Sequence, residues 1–432
     1  MRRELKRKAF CSDTFSMRAF EFSFRRTFIL PMLVCGVACE PSKLVEVPDA
    51  DAGPWQLPAA QLPDEPDEAG NDAGIGDRVD AGDPCPRLSC GMWKNAGSLI
   101  QARTRHSATL LEDGRVLLIG GEGEGGALAS AEAYDPETGT FVALGSLQHA
   151  RYDHQSVLLA DGRVLVVGGV QGITRVPQAE IFDIETENFR EVSSLTEPRI
   201  GHTATRLQDG AVVVSGGLGD EAFATALEIF DPAAETFSTA ATTTEPRYLH
   251  TATLLDDGSV FIAGGMRVTP GVGLEYVERT ERYVPQTGLS TGPMWLGTRR
   301  NHSATRLPTG QVLLAGGHHT VALDSSWLFD PEANAFEAGP ALSAARFAHQ
   351  TTPLENGMLL LSGGIDDGAI SDAEGMSPDA SESWALPSMQ FARHTHSATR
   401  MMDGSVLVAG GTAPGQGVEP VPSAERFVLE SE

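Results

Sequence analysis

From residue 106 onward, apolar and polar positions recur in a fixed order. Seven segments each open on a histidine: His106, His154, His202, His250, His302, His349 and His396, spaced 48, 48, 48, 52, 47 and 47 residues apart. The first reads His106-Ser107-Ala108-Thr109-Leu110-Leu111-Glu112-Asp113-Gly114-Arg115-Val116-Leu117-Leu118-Ile119-Gly120-Gly121. Further glycine pairs end the matching stretches at 168–169, 216–217, 264–265, 316–317, 363–364 and 410–411. A period of this length and texture predicts a propeller or a similar array. Each unit predicts four strands. The first begins at the histidine. A two-residue turn follows (Asp113-Gly114 and its relatives), with the residues that hairpins need for positive φ. The second strand is an unbroken apolar run (Val116–Ile119, Val164–Val167, Val260–Ala263 and others). Continuous apolarity means that both faces are buried, as between neighbouring blades. The third carries Ala131-Glu132-Ala133-Tyr134-Asp135-Pro136 or a variant and breaks at Asp-Pro. The fourth runs through Phe141, Phe189, Phe237, Phe336 or Trp384.

Hydrophobic strand, Gly-Gly, acidic-aromatic strand and outer aromatic together resemble the kelch family over residues of about 91–432. The outer aromatic is mostly Phe where kelch units often carry Trp, and Ser326 is read as replacing the third-strand Glu in repeat five. The resemblance implies an all-β fold: a seven-bladed kelch-type β-propeller with four antiparallel strands per blade. The seventh repeat stops after its third strand, Ala424-Glu425-Arg426-Phe427. Trp93 to Leu99 resembles the missing fourth strand, so an N-terminal strand is expected to close the ring and hide two sheet edges.

Ahead of the repeats, residues 27–38 form an apolar run behind Arg25-Arg26. About twelve residues are too few to cross a ~30 Å hydrocarbon core, so the run reads as a signal peptide and not a membrane span. It ends in Gly36-Val37-Ala38-Cys39, which resembles a bacterial lipoprotein cleavage box with Gly36 where leucine is usual. Residues 1–39 are read as the signal, with lipidation at Cys39; an ordinary cleaved signal is the alternative. Phe24 to Ile29 also looks like a twin-arginine signal, general and twin-arginine export both stay open, and Met17 competes with Met1 as the start. Residues 40–84, rich in Pro, Ala, Gly and Asp, cannot bury enough surface to order themselves and are expected to form an acidic disordered tether. The propeller is then 85–432. Cys85 and Cys90 can close a small disulfide in an oxidising compartment, the alternative being two free thiols. The expected location is the cell envelope, in the periplasm or at the outer membrane or cell surface, with membrane contact only through the lipid.

The net charge of −26 divides into +5 on 1–39, −10 on 40–84 and −21 on 85–432. So acidic a body, with no basic stripe, argues against nucleic acid as partner. The seven histidines sit one per blade, apart from one another, and are read as structural and not as metal ligands. Seven arginines three residues before them (Arg103, Arg151, Arg199, Arg247, Arg299, Arg346, Arg393) are expected to pair internally with third-strand acids. The sharper alternative is an arginine ring at one mouth of the channel, with Arg299 the freest because its unit lacks the Glu. The galactose-oxidase-like copper enzymes of this fold need a cysteine cross-linked to a tyrosine, and no cysteine follows residue 90. No Gly-x-Ser-x-Gly, His-Glu-x-x-His or phosphate loop occurs either. No catalytic residue, metal or cofactor is therefore assigned. Specificity should lie where the repeats differ. The long loop Met266 to Arg279, the His318-His319 pair and the link carrying Trp295 fall on one sector of one face. Arg267, Tyr276, Trp295, Arg299, His318 and His319 form the candidate binding set. The reading is a monomeric binding or scaffold module for a protein or glycan of the envelope, the alternative being a mutarotase- or epimerase-like carbohydrate enzyme.

Overall fold

The computed structural model describes residues 91–429, apart from 221, 270–272 and 416–418. The signal at 1–39, the tether at 40–84, Cys39, Cys85 and Cys90 lie outside the described residues. Within them there is no helix, and seven four-stranded antiparallel sheets follow one another along the chain. The first strands, such as Ser107–Leu110 and Ser397–Arg400, contact one another in a closed circuit and form the inner wall. The second strands, Val116–Ile119 and its six equivalents, are buried at every position, as their unbroken apolarity predicts. Packed between neighbouring blades, each Val, Leu, Ile or Phe among them contributes about 1.5–3 kcal/mol.

Closure follows the predicted route. Gly91–Ser98 pairs antiparallel with Ser423–Leu429 as the outer strand of blade seven, with Trp93 opposite Phe427. The Trp93 indole N–H also donates to the Pro387 carbonyl of blade six at 2.7 Å.

The repeated residues form one device for joining blades. The second glycine of each pair donates its N–H to the carbonyl of the next blade's repeated arginine, from Gly121 to Arg151 (2.9 Å) round to Gly411 and Arg103 (2.9 Å). The first glycine has left-handed φ and no room for a side chain: a Cβ on Gly410 would stand 2.4 Å from the Arg103 carbonyl and 2.8 Å from His106 Cε1. Each histidine thus inserts into the preceding blade, and in six of the seven ring Nε2 meets a hydroxyl, as in His154–Ser107 (2.8 Å), His302–Thr251 (2.9 Å) and His349–Ser303 (3.0 Å), while His202 has no such partner among the described residues.

Two details differ from the sequence reading. The hairpin turns are three-residue loops, not two-residue ones. Leu111 N–H bonds to Arg115 O (2.8 Å), and of Asp113-Gly114 the glycine alone has positive φ. The aspartate instead accepts the Arg115 N–H (3.0 Å), a local turn bond. The second is register. Glu132 faces Leu118 in blade one, and the residue facing the equivalent Leu314 in blade five is Trp327, not Ser326. Trp327 therefore takes the glutamate's place, and Ser326 donates to the Pro340 carbonyl (2.6 Å).

Candidate functional site

The loops between second and third strands and the links between blades share one face. At its centre the residue before each histidine is left-handed. Arg105, Asp153, Gly201, Leu249, Asn301, Ala348 and Thr395 have φ between 49° and 61°. At six of the seven blade junctions they bond N–H to carbonyl, for example Asn301 to Leu249 at 3.1 Å and Ala348 to Asn301 at 3.0 Å. This collar rims one mouth of the channel. One residue further out, Thr104, Tyr152, Ile200, Tyr248, Arg300, Phe347 and His394 each bridge to the start of their blade's loop.

Six of the seven repeated arginines pair below this surface with third-strand acids: Arg103–Glu132 and Arg151–Glu180 at 2.7 Å, Arg346–Glu374 at 2.6 Å, Arg393–Glu425 at 2.8 Å, Arg247–Glu281 at 3.2 Å, and Arg199–Glu228. All are buried, so the exposed arginine ring does not form. Arg299 is likewise sealed in and takes no part in the face. With Trp327 in the acid's place, it donates to the carbonyls of Gly297, Gly316 and Ser325 (each 2.7 Å) and lies 5.3 Å from the Trp295 ring. Burial pushes its guanidinium down to about 10, with Asp324 opposing the shift. Trp295 is also a correction. It is fully buried, stacked 5.6 Å from Phe336, because it fills the repeated apolar position four residues before the arginine that Leu147, Leu195 and Leu342 fill elsewhere.

These environments predict different costs. Arg151→Leu strands Glu180 as a buried unpaired charge and should cost about 3–5 kcal/mol. Arg299→Leu strands no acid and should cost about 1–2 kcal/mol in lost bonds to carbonyls. Urea unfolding of the two variants checks the difference; equal losses would mean that the ion pairs contribute nothing beyond the carbonyl bonds.

The rest of the predicted set does assemble. Met266–Thr269 and Gly273–Tyr276 form a hairpin above blade four, with Met266 opposite Tyr276 and bridged to Tyr248. Tyr276 leans onto blade five, its ring 4.2 Å from that of His319 and its hydroxyl donating to the His319 carbonyl. His318 meets Phe347 edge-on at 5.0 Å, and Arg267 is held by Glu245 and by Glu275 (3.5 Å). Val268, Leu274, Leu296 and Val321 are exposed on the same blades.

Arg300 belongs to this sector and was not in the predicted set. Among the described residues no carboxylate lies within 4.0 Å of its guanidinium, and its buried Nε has no acceptor. Burial raises the Tyr248 and Tyr276 phenols, and the Arg300 charge beside both opposes the rise. Burial also lowers His318, with Arg300 adding to the effect. The signal in the sequence was positional: two residues before the histidine, the other repeats carry Thr, Tyr, Ile, Tyr, Phe and His, none permanently charged.

Among the described residues no group of three or more His, Cys, Asp or Glu side chains could hold a metal ion. Residues 87–267 match the family described as the KLHDC2/KLHL20/DRC7 Kelch-repeats domain. No curated protein matches the chain. Among solved structures, a novel fungal alcohol oxidase of the AA5 family, in complex with copper, is similar, with TM-score 0.64 and 16% identity over 79% of this chain and 77% of that one. At that identity the likeness is one of fold. No copper chemistry is carried over on that likeness.

Proposed function

We propose that this seven-bladed β-propeller, whose residues 87–267 match a Kelch-repeats family, works as a non-catalytic binding module, exported and held in the cell envelope by lipid on Cys39, that recognises a protein or glycan there. The observation that carries this is the sector over blades four and five: a hairpin above one blade, seated by Tyr276 on the His318-His319 loop of the next. Stacked rings with exposed apolar neighbours and a cation without an acid partner are the composition of binding hot spots. The carboxylates around the mouth support binding over acid–base catalysis. Glu122 and Asp153 are both engaged by Arg105, and Glu245 by Arg267. The apolar run 27–38 ending at Cys39 supports export and anchoring.

Detergent-solubilised envelope passed over the immobilised chain tests the reading. Tyr276→Ala with His319→Ala should reduce capture at least about tenfold, with melting nearly unchanged. Undiminished capture would place the site on another sector. In the same cells Cys39→Ala should move the protein from the membrane to the soluble fraction, and unchanged partition would remove the anchor.

A further inference from the structure

We propose that Arg300 anchors a carboxylate-binding subsite at the channel mouth, and that its ligand is an acidic sugar residue such as a hexuronate in a glycan. The inference rests on the binding reading above and names the chemistry of that site.

Three observations converge. Arg300 is a permanent cation, partly buried, with an unsatisfied Nε and no carboxylate within 4.0 Å among the described residues. Two further arginines of this face are paired: Arg105 with Glu122 and Asp153, Arg267 with Glu245 and Glu275. Beside the Tyr248 and Tyr276 phenols but with no acid partner, the Arg300 charge is uncompensated, and its planar fork matches a carboxylate bidentately. Secondly, its neighbours are the phenols of Tyr248 and Tyr276 and the imidazole of His318, groups that bond hydroxyls as donor or acceptor. Phe223, 5.6 Å from Tyr248, and Phe347 beside His318 add apolar ring surface.

The third observation separates a sugar from a peptide. An extended peptide is bound by free backbone N–H and C=O groups along a strand edge. Here those groups are used: Arg300 and His318 bond each other both ways (3.0 and 2.9 Å), as do Tyr248 and Met266 (3.1 and 3.1 Å), and His318 bridges on to Ala322. What remains to meet a ligand is side-chain chemistry: one cation, phenol and imidazole groups and ring faces. That suits a carboxylate and hydroxyls carried on a compact ring.

Calorimetric titration of the purified full chain tests this with galacturonate and glucuronate oligosaccharides, their methyl esters, and a short peptide ending in a carboxylate. The acids are expected to bind and the esters to bind at least about tenfold more weakly. Arg300→Gln should lose the preference for the acid while Arg300→Lys keeps part of it, with melting unchanged in both. Affinity of Arg300→Gln equal to wild type, or esters binding as well as acids, would overturn the carboxylate assignment. Peptide binding without sugar binding would overturn the ligand class, as would no binding to any probe. The capture experiment with Tyr276→Ala and His319→Ala reads the sector independently, so the subsite can fail while the binding face stands.

Discussion

Taking the protein from pH 7 to pH 5 should destabilise it steeply, because the seven histidines that join the blades must stay neutral. Burial lowers all of them, and the charge of the arginine three residues earlier adds to the effect; His106, His202 and His349 fall to about 3. His154, His250, His302 and His396 are lowered for the same reasons. An unfolded histidine titrates near 6.5. Between the two values the unfolded chain binds protons that the folded chain refuses. The stability is therefore whole above about pH 6.5 and is lost as the pH falls toward about 3. Each histidine contributes about 1.4 kcal/mol per pH unit in that window. Seven in parallel exhaust the about 5–15 kcal/mol of a typical fold within about two units. Protonation of the many surface carboxylates relieves repulsion but belongs mostly below pH 5, so the histidine window is separable. Urea midpoints measured from pH 7.5 to 5 should fall steeply; a flat profile would mean that the joints accept imidazolium.

Removing the closing strand should have the second large effect. Gly91–Ser98 covers the edge of Ser423–Leu429, buries Ala96, and packs Trp93 5.2 Å from Phe427. Deleting residues 1–98 opens blade seven and exposes an unpaired strand, a template for association. The loss should be on the order of 5 kcal/mol or more, with concentration-dependent aggregation, whereas deleting 1–84 should leave melting unchanged. Equal melting of the two truncations would show that the ring does not depend on that strand.

The parts of the fold that were legible in the sequence are those that repetition imposes. Seven spaced histidines and glycine pairs count the blades, because each blade must make the same joint with the next. The orphan strand at Trp93 was legible because the seventh unit lacked a fourth. The misreadings came where one copy departs from the rest. Counting back from Asp330-Pro331, as from Asp135-Pro136, puts Trp327 and not Ser326 in the glutamate's place. The same counting assigns Trp295 to a buried slot otherwise held by leucine, methionine or, once, Thr243; its aromatic character suggested a surface platform, but its register made it core. Arg299 lost its acid and stayed buried, since backbone carbonyls satisfy it. The cation that reaches the face is its half-buried neighbour, Arg300, whose place there depends on the left-handed collar, and that collar leaves no residue-type signature when Arg, Asp, Gly, Leu, Asn, Ala and Thr all occupy it.

The central claim is that the repeated residues serve the ring and that recognition belongs to the unrepeated sector above blades four and five. Hydrogen–deuterium exchange of the full chain, with and without the ligand captured from envelope extract, reads this directly. Protection should concentrate in 266–269, 273–276, 299–301 and 317–322. Protection confined to the hairpin turns on the opposite face, around Asp113, Asp257 or Asp403, would contradict the account.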